Sequence, residues 1–213
     1  MEIKKKQISS GIYLIIDPSL EEKALLSKLE IIATAKISAI QIWDHFPEID
    51  NREQIVKKIL EKTSKTEIPV IINNQWKLLN TLPLNGVHFD EIPQNFNEIK
   101  KQINRPFVTG ITCSNISNEI EWAEKNKVDY ISFCSMFPSS TAQSCELIQF
   151  ESVLKAKQTF KGKIFLAGGI NEENIELLQT LPYDGIAMVS GIMNRENPLK
   201  TIQNLTNTIK NEY

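Results

Sequence analysis

The chain has 213 residues with 24 basic and 26 acidic side chains, a net charge of −2, and is 41% hydrophobic. That length favours a single domain over 1–213, and the near balance of charge lacks the basic surface that nucleic-acid binding needs. No apolar run approaches the ~20 residues of a membrane-spanning helix, and the run behind the basic N-terminus is too short for a signal-peptide core. A cytoplasmic protein with neither nucleic-acid nor membrane partner is expected.

In chain order, Gly11 to Asp17 reads as a first strand that Pro18 ends. Ser19 with Glu22 three residues on predicts a capping box, and Leu25, Leu26, Leu29 and Ile32 recur at helical spacing behind it. Strands follow at Ser38–Trp43, Pro69–Asn73, Gly86–Phe89, Phe107–Cys113, Tyr130–Met136, Ile164–Ala167 and Gly185–Val189. Helices alternate with them: Arg52 to Lys62, a short one holding Trp76, Leu78 and Leu79, Asn95 to Ile103, Asn118 to Lys125, and Glu151 to Phe160. Asn171 is placed to cap a seventh, and Asn197-Pro198 opens the last, with Ile202, Leu205 and Ile209 facing inward. The strands are short and apolar throughout, as expected for parallel strands buried on both faces. Eight such units in regular alternation predict one α/β fold, a TIM (β/α)8 barrel, over a doubly wound open sheet.

The last two strands end in Gly168-Gly169-Ile170 and Ser190-Gly191-Ile192. Glycine turns after the last two strands of a barrel suit phosphate oxygens, because bare backbone amides can be approached closely. A helix starting behind Gly169 would add a favourable dipole. Active residues of a barrel sit where strands end. That selects Gln41, Trp43, Asp44 and His45, then Asn73, Asn74 and Gln75, then His88, Asp90 and Glu91. Thr112, Cys113 and Ser114 follow, with Ser135, Ser139, Ser140 and Thr141 after the sixth strand. His88 reads more simply as a hydrogen-bonded barrel histidine, and the serines from 139 to 144 as a loop. Three cysteines, Cys113, Cys134 and Cys145, are odd in number without CxxC spacing and read as reduced thiols.

In their order these motifs resemble the thiamine-phosphate synthase family, which also includes aminothiazole tautomerases. The carriers are YLIID at Tyr13 to Asp17, AIQIWDH at Ala39 to His45, VIINNQ at Val70 to Gln75 and NGVHFD at Asn85 to Asp90. GITCSN at Gly110 to Asn115, DYISFCSMFPSST at Asp129 to Thr141, FLAGGIN and GIAMVSGI complete the set. The resemblance implies coupling of hydroxymethylpyrimidine diphosphate to a thiazole phosphate with loss of pyrophosphate. It implies a small phosphorylated thiazole or pyrimidine-type ligand, with Gly168, Gly169, Ser190 and Gly191 holding the thiazole phosphate and Thr112, Ser139 and Thr141 adding contacts. Gln41, Asn73 and His45 are the catalytic candidates, Mg²⁺ is the implied metal with Asp90 and Glu91 as its candidate ligands, and a homodimer is left open.

Several family positions are changed. Trp43 and His45 stand where the family carries Arg and Lys, Asn74 where it carries a metal-binding Asp, and Ala142 where it carries Lys. The histidine that tautomerases carry after strand five falls on Ser114. Loss of pyrophosphate needs cations to neutralise developing charge, so the diphosphate end is depleted while the monophosphate end is kept. Three readings are open: a synthase with an altered diphosphate site, an isomerase on a phosphorylated thiazole-like ligand with His45 as general acid–base, or a non-catalytic phosphate-ligand barrel.

Overall fold

The computed structural model describes residues 5–47, 51–138 and 146–209. Eight parallel strands pair in sequence order and close on themselves, β1 (Gly11–Ile16) lying beside both β2 (Ala39–Ile42) and β8 (Gly185–Met188). Between β2 and β8 stand β3 (Val70–Asn73), β4 (Gly86–Phe89), β5 (Val108–Cys113), β6 (Tyr130–Phe133) and β7 (Lys163–Ala167). The helices outside are α1 (Glu22–Ile32), α2 (Arg52–Thr63), α3 (Phe96–Ile103), α4 (Asn118–Asn126), α5 (Phe150–Thr159), the short α6 (Ser190–Met193) and α7 (Pro198–Thr208). Single 3₁₀ turns, Trp76–Asn80 and Ile175–Leu178, stand in for helices after β3 and β7.

The expected barrel is therefore observed, and strand parity sorts its residues. Odd positions of β1, β2 and β3 and their register partners point inward, the others toward the helices. The outward set, such as Leu14, Ile40, Ile72, Ile131 and Ile186, packs with Leu25, Val56 and Leu205 into a large core between sheet and helices. The inward set forms a smaller cluster of Ile8, Tyr13, Ala39, Ile71, Val108, Tyr130, Phe165, Ala167 and Ala187. Three aromatic rings fill most of that interior, Tyr13, Tyr130 and Phe165, with centroids 5.2 to 5.6 Å apart. A Cβ on the neighbouring Gly110 would overlap the Tyr130 ring, so the missing side chain makes room for the large one.

Two local expectations are corrected. Ser19 does not cap α1: its N–H donates to Asp17 Oδ1 in a turn that delays the helix. Glu21 is the cap instead, its carboxylate accepting from the N–H groups of Lys23 (3.0 Å) and Ala24 (2.7 Å). The predicted strand through Met136 ends at Phe133, because Met136 and Phe137 turn to donate their N–H groups to Ala167 and Gly168. At α7 the Asn-Pro signal holds, Asn197 Oδ1 accepting from Lys200 N–H at 3.0 Å with Pro198 in the first turn.

Candidate functional site

A cavity of about 400 Å³ opens at the C-terminal ends of the strands. Its floor is the next inward layer above the aromatic cluster: Gln41 from β2, Asn73 from β3, His88 from β4, Thr112 from β5 and Ser132 from β6. Parity decides this layer, each of these lying two residues beyond an interior apolar position or glycine on its own strand. The polar groups are satisfied among themselves, as burial requires. Gln41 Nε2 donates to Asn73 Oδ1 at 3.1 Å, and Asn73 Nδ2 donates to Asp90 Oδ1 at 3.0 Å. The Tyr13 hydroxyl donates to Gln41 Oε1 at 2.8 Å and lies 2.6 Å from the Tyr130 hydroxyl. His88 Nδ1 lies 2.9 Å from the Tyr130 oxygen, and Nε2 lies 2.9 Å from Thr112 Oγ1.

Burial pushes the His88 imidazole down to about 4, against a smaller opposing pull from Asp90, so the ring is neutral near pH 7. The bland expectation for His88, a hydrogen-bonded barrel histidine, is what the structure shows, and the same ring also faces the cavity. Burial likewise pushes the Tyr13 and Tyr130 phenols far above their usual range, so both stay protonated.

One wall of the cavity carries the two glycine turns, Gly168 to Asn171 and Val189 to Gly191. Gly168 and Gly169 have φ of +88° and +66°, which L side chains rarely adopt. A Cβ at Gly168 would overlap the Cys134 carbonyl, and one at Gly169 would lie 2.6 Å from the Phe137 and Pro138 carbonyl oxygens. The glycines are thus required by the chain segment that crosses behind them, in addition to any ligand in front. Their carbonyls are tied down on that far side: Phe137 N–H donates to Gly168 O at 3.0 Å, and Asn174 Nδ2 donates to Gly169 O at 2.8 Å. In a trans peptide the next N–H points the opposite way. The Gly169 and Ile170 amides are therefore turned from the tied carbonyls, and both residues line the cavity.

The expected helix behind Gly169 is absent. Asn171 Oδ1 accepts from Glu173 and Asn174 N–H, but the chain then makes only the 3₁₀ turn Ile175–Leu178. That turn is too short to supply a helix dipole. The first turn after β8 is helical instead: α6 starts at Ser190, so the Ser190 and Gly191 amides have no intrahelical acceptor.

Of the residues singled out in the sequence, Gln41, Asn73, Asp90, Thr112, Gly168, Gly169, Ser190 and Gly191 share this cavity. His45 does not line it: its side chain is 62% exposed, 3.3 Å from Asp17 Oδ2, with its ring against Trp43. Glu91 is exposed and also off the cavity, which separates it from Asp90. Ser139 and Thr141 lie outside the described residues. Tyr13, Tyr130 and Ser132 were missed. Their signal is parity, since Tyr13 alternates with Gly11 and Ile15 on the inward face of β1, and Tyr130 with Ser132 on that of β6.

The chemistry of the donor set does not fit the magnesium that the sequence resemblance implies. Asn74, held at φ +53°, donates its Nδ2 to Asp44 Oδ2 and to Asp90 Oδ2, both at 2.8 Å. Its Oδ1 accepts from the Asp90 N–H at 3.1 Å, which fixes the amide the right way round. A neutral NH₂ group thus bridges the two carboxylates where a hard cation would need oxygens. Among the described residues, no group of three or more His, Cys, Asp or Glu side chains is gathered that could hold a metal ion. No Lys or Arg lines the cavity among the described residues, and Asp90 is the sole charged side chain there. Arg52, at the start of α2, instead donates to Gln75 Oε1 at 3.0 Å.

With this geometry in place, comparison with known proteins is informative. The family model described as thiamine monophosphate synthase matches residues 12–192. A thiamine-phosphate synthase of Clostridium tetani is 26% identical over 202 residues, covering 94% of this chain and 96% of that protein. A thiamine-phosphate synthase of Methanobrevibacter smithii is 24% identical over 200 residues, covering 94% and 95%. Among solved structures, thiamine phosphate pyrophosphorylase from Pyrococcus furiosus superposes with a TM-score of 0.76 at 22% identity, covering 93% of this chain and 94% of that one. Among the described residues, no helix is long and apolar enough to cross a membrane.

Proposed function

The chain belongs to the thiamine monophosphate synthase family, and from that premise we propose that it is a single-domain barrel that forms thiamine phosphate with a cradle for the thiazole phosphate intact and a diphosphate end poor in cations. The observation that carries the reading is the arrangement of one cavity, with the turns Gly168–Gly169 and Ser190–Gly191 on one wall and the polar floor of Gln41, Asn73 and Thr112 beside them.

In this reading the thiazole phosphate rests on backbone amides of Gly169, Ile170, Ser190 and Gly191, with the Ser190 hydroxyl as a further donor. These contacts need no charged side chain, so drift elsewhere in the sequence leaves them standing. The pyrimidine lies over Gln41, Asn73 and Thr112, whose hydrogen bonds hold its ring edge. Water is kept out by Trp43, Ile15 and Met188 around it. No step is assigned to magnesium, because the Asn74 amide occupies the position between Asp44 and Asp90. The departing pyrophosphate then lacks fixed partners in the described wall. Each such missing contact raises the barrier by roughly 2.7–4 kcal/mol, judged from removal of single transition-state donors. Slow turnover is the consequence. His45 has no part in the proposal, since it stands off the cavity beside Asp17.

The test is incubation with hydroxymethylpyrimidine diphosphate, thiazole phosphate and Mg²⁺, with chromatographic detection of thiamine phosphate. Slow product formation, together with a thiazole phosphate affinity that falls about 10-fold in Ser190→Ala by calorimetry, supports the reading. Thiazole phosphate that binds without any product would reduce the protein to a phosphate-ligand barrel. No binding at all would remove the cradle itself.

A further inference from the structure

The buried hydrogen bonds of the barrel floor form one chain, and its direction can be worked out from the atoms that cannot donate. Asn73 Nδ2 faces the Asp90 carboxylate at 3.0 Å and the His88 carbonyl oxygen at 3.5 Å, both acceptors. Asn73 Oδ1 must therefore accept, and Gln41 Nε2 supplies the hydrogen. That turns Gln41 Oε1 to Tyr13, which must donate its only hydroxyl hydrogen there. The Tyr13 oxygen can then only accept from Tyr130, whose own hydrogen is used in doing so. The Tyr130 oxygen is left to accept, and His88 Nδ1 must carry the hydrogen that fills it. In a neutral ring Nε2 is then bare, and it accepts from Thr112 Oγ1.

We propose that Tyr13 and Tyr130 are positioning residues, whose hydroxyls carry this direction from Asp90 to the far wall and thereby hold His88 as the Nδ1–H tautomer with Thr112 presenting only lone pairs to the cavity. Six hydrogen bonds join seven side chains in this run, and the tautomer of the histidine in it is set by whatever its ring nitrogens face. Tyr13 is buried, 1% exposed, and hydrogen-bonds Gln41 and Tyr130, so any effect it has on His88 must pass through the chain. The consequence for recognition is a polarity. At Thr112 the wall asks for a donor on the ligand, whereas the second Nε2 hydrogen of Gln41 asks for an acceptor.

Long-range ¹H–¹⁵N correlation on the uniformly labelled full chain, without ligand, reads the tautomer directly. The chain has two histidines, and exposed His45 is the internal reference. In the wild type His88 is expected with its proton on Nδ1. In Tyr13→Phe, Tyr130 loses its acceptor and turns its hydrogen to His88 Nδ1, so the population shifts to the Nε2–H form although Tyr13 is two hydrogen bonds away. Thr112→Val leaves the proton on Nδ1, because the direction is set from the other end. A wild type with the proton on Nε2, a Tyr13→Phe protein that keeps the wild-type tautomer, or a Thr112→Val protein that switches it overturns the proposal. Tyr13→Phe and Tyr130→Phe both lower the melting temperature through a lost buried hydrogen bond, so a purely structural role would change that temperature and leave the tautomer of Tyr13→Phe alone.

Discussion

Two walls of the same cavity are built from different materials. The turns after β7 and β8 offer backbone amides, fixed by positive φ at Gly168 and Gly169 and by carbonyls tied to Phe137 and Asn174. The ends of β2, β3 and β4 offer side chains, and there the polar groups are held by other protein groups: Gln41 by Tyr13, Asn73 by Asp90, and Asp44 and Asp90 by Asn74. A backbone site depends on the fold and persists as long as the fold does. A side-chain site can be rewritten one substitution at a time, and here it carries neutral hydrogen-bonding and aromatic groups where a cation could stand. Trp43 and Asn74 are the clearest instances. Indole fills space and amide bridges carboxylates, yet neither neutralises a leaving diphosphate.

Three perturbations sharpen that contrast, in falling order of expected effect. The side-chain wall is tuned for a neutral His88. Its folded value near 4 lies below the ordinary 6.5, so between those pH values the unfolded chain binds a proton that the native chain refuses. Stability due to this group is complete above about pH 6.5, is lost as pH falls toward 4, and changes no further below that. The difference between wild type and His88→Gln in the free energy of urea unfolding should therefore narrow by about 3 kcal/mol across that window. A flat difference would place the ring in a wetter environment than its two buried partners indicate.

The second perturbation adds positive charge to the side-chain wall, which has no Lys or Arg among the described residues. Trp43→Arg puts a fixed cation on the cavity lining. Thiamine phosphate formation under saturating substrates is expected to rise about 10²-fold, the effect of one well-placed donor. An unchanged rate would mean that charge does not limit the diphosphate end. The third attacks the backbone wall. Gly168→Ala forces an alanine into φ +88° and against the Cys134 carbonyl, and should cost about 2 kcal/mol or more of stability together with thiazole phosphate affinity. Gly191→Ala is the milder companion, since its Cβ would meet the movable end of Met188 at 2.5 Å and the backbone there has no positive φ. Equal losses from the two substitutions would contradict a cradle held by conformation at the first turn.

Much of this was legible in the chain. Short apolar runs separated by amphipathic segments marked all eight strands, because parallel strands buried on both faces cannot carry polar residues except at their ends. For the same reason the strand ends pointed to Gln41, Asn73, Asp90 and Thr112. The glycine turns were visible as GGI and VSGI. Less legible was the start of α1, where Asp17 and Glu21 compete with Ser19 for the same few N–H groups and only their relative geometry decides. The missing helix after β7 was equally hidden, since Asn171 can begin a turn whether or not a helix continues from it.

The sequence by itself determined the barrel, the strand ends that line its cavity and the scarcity of basic residues there, because these depend on periodicity, on strand order and on which residue types are present. Only the tertiary structure decided which chemistry-bearing residues meet. His45 and His88 are both strand-end histidines in the sequence, yet closure of the barrel turns His88 inward against Tyr130 and Thr112 and leaves His45 in water beside Asp17. Tyr13 and Tyr130 lie 117 positions apart, and the closed barrel alone brings their hydroxyls within 2.6 Å and makes one directed chain of the floor. The physical reason is that inward or outward parity is a local property, whereas contact across a barrel is set by the register of every strand between.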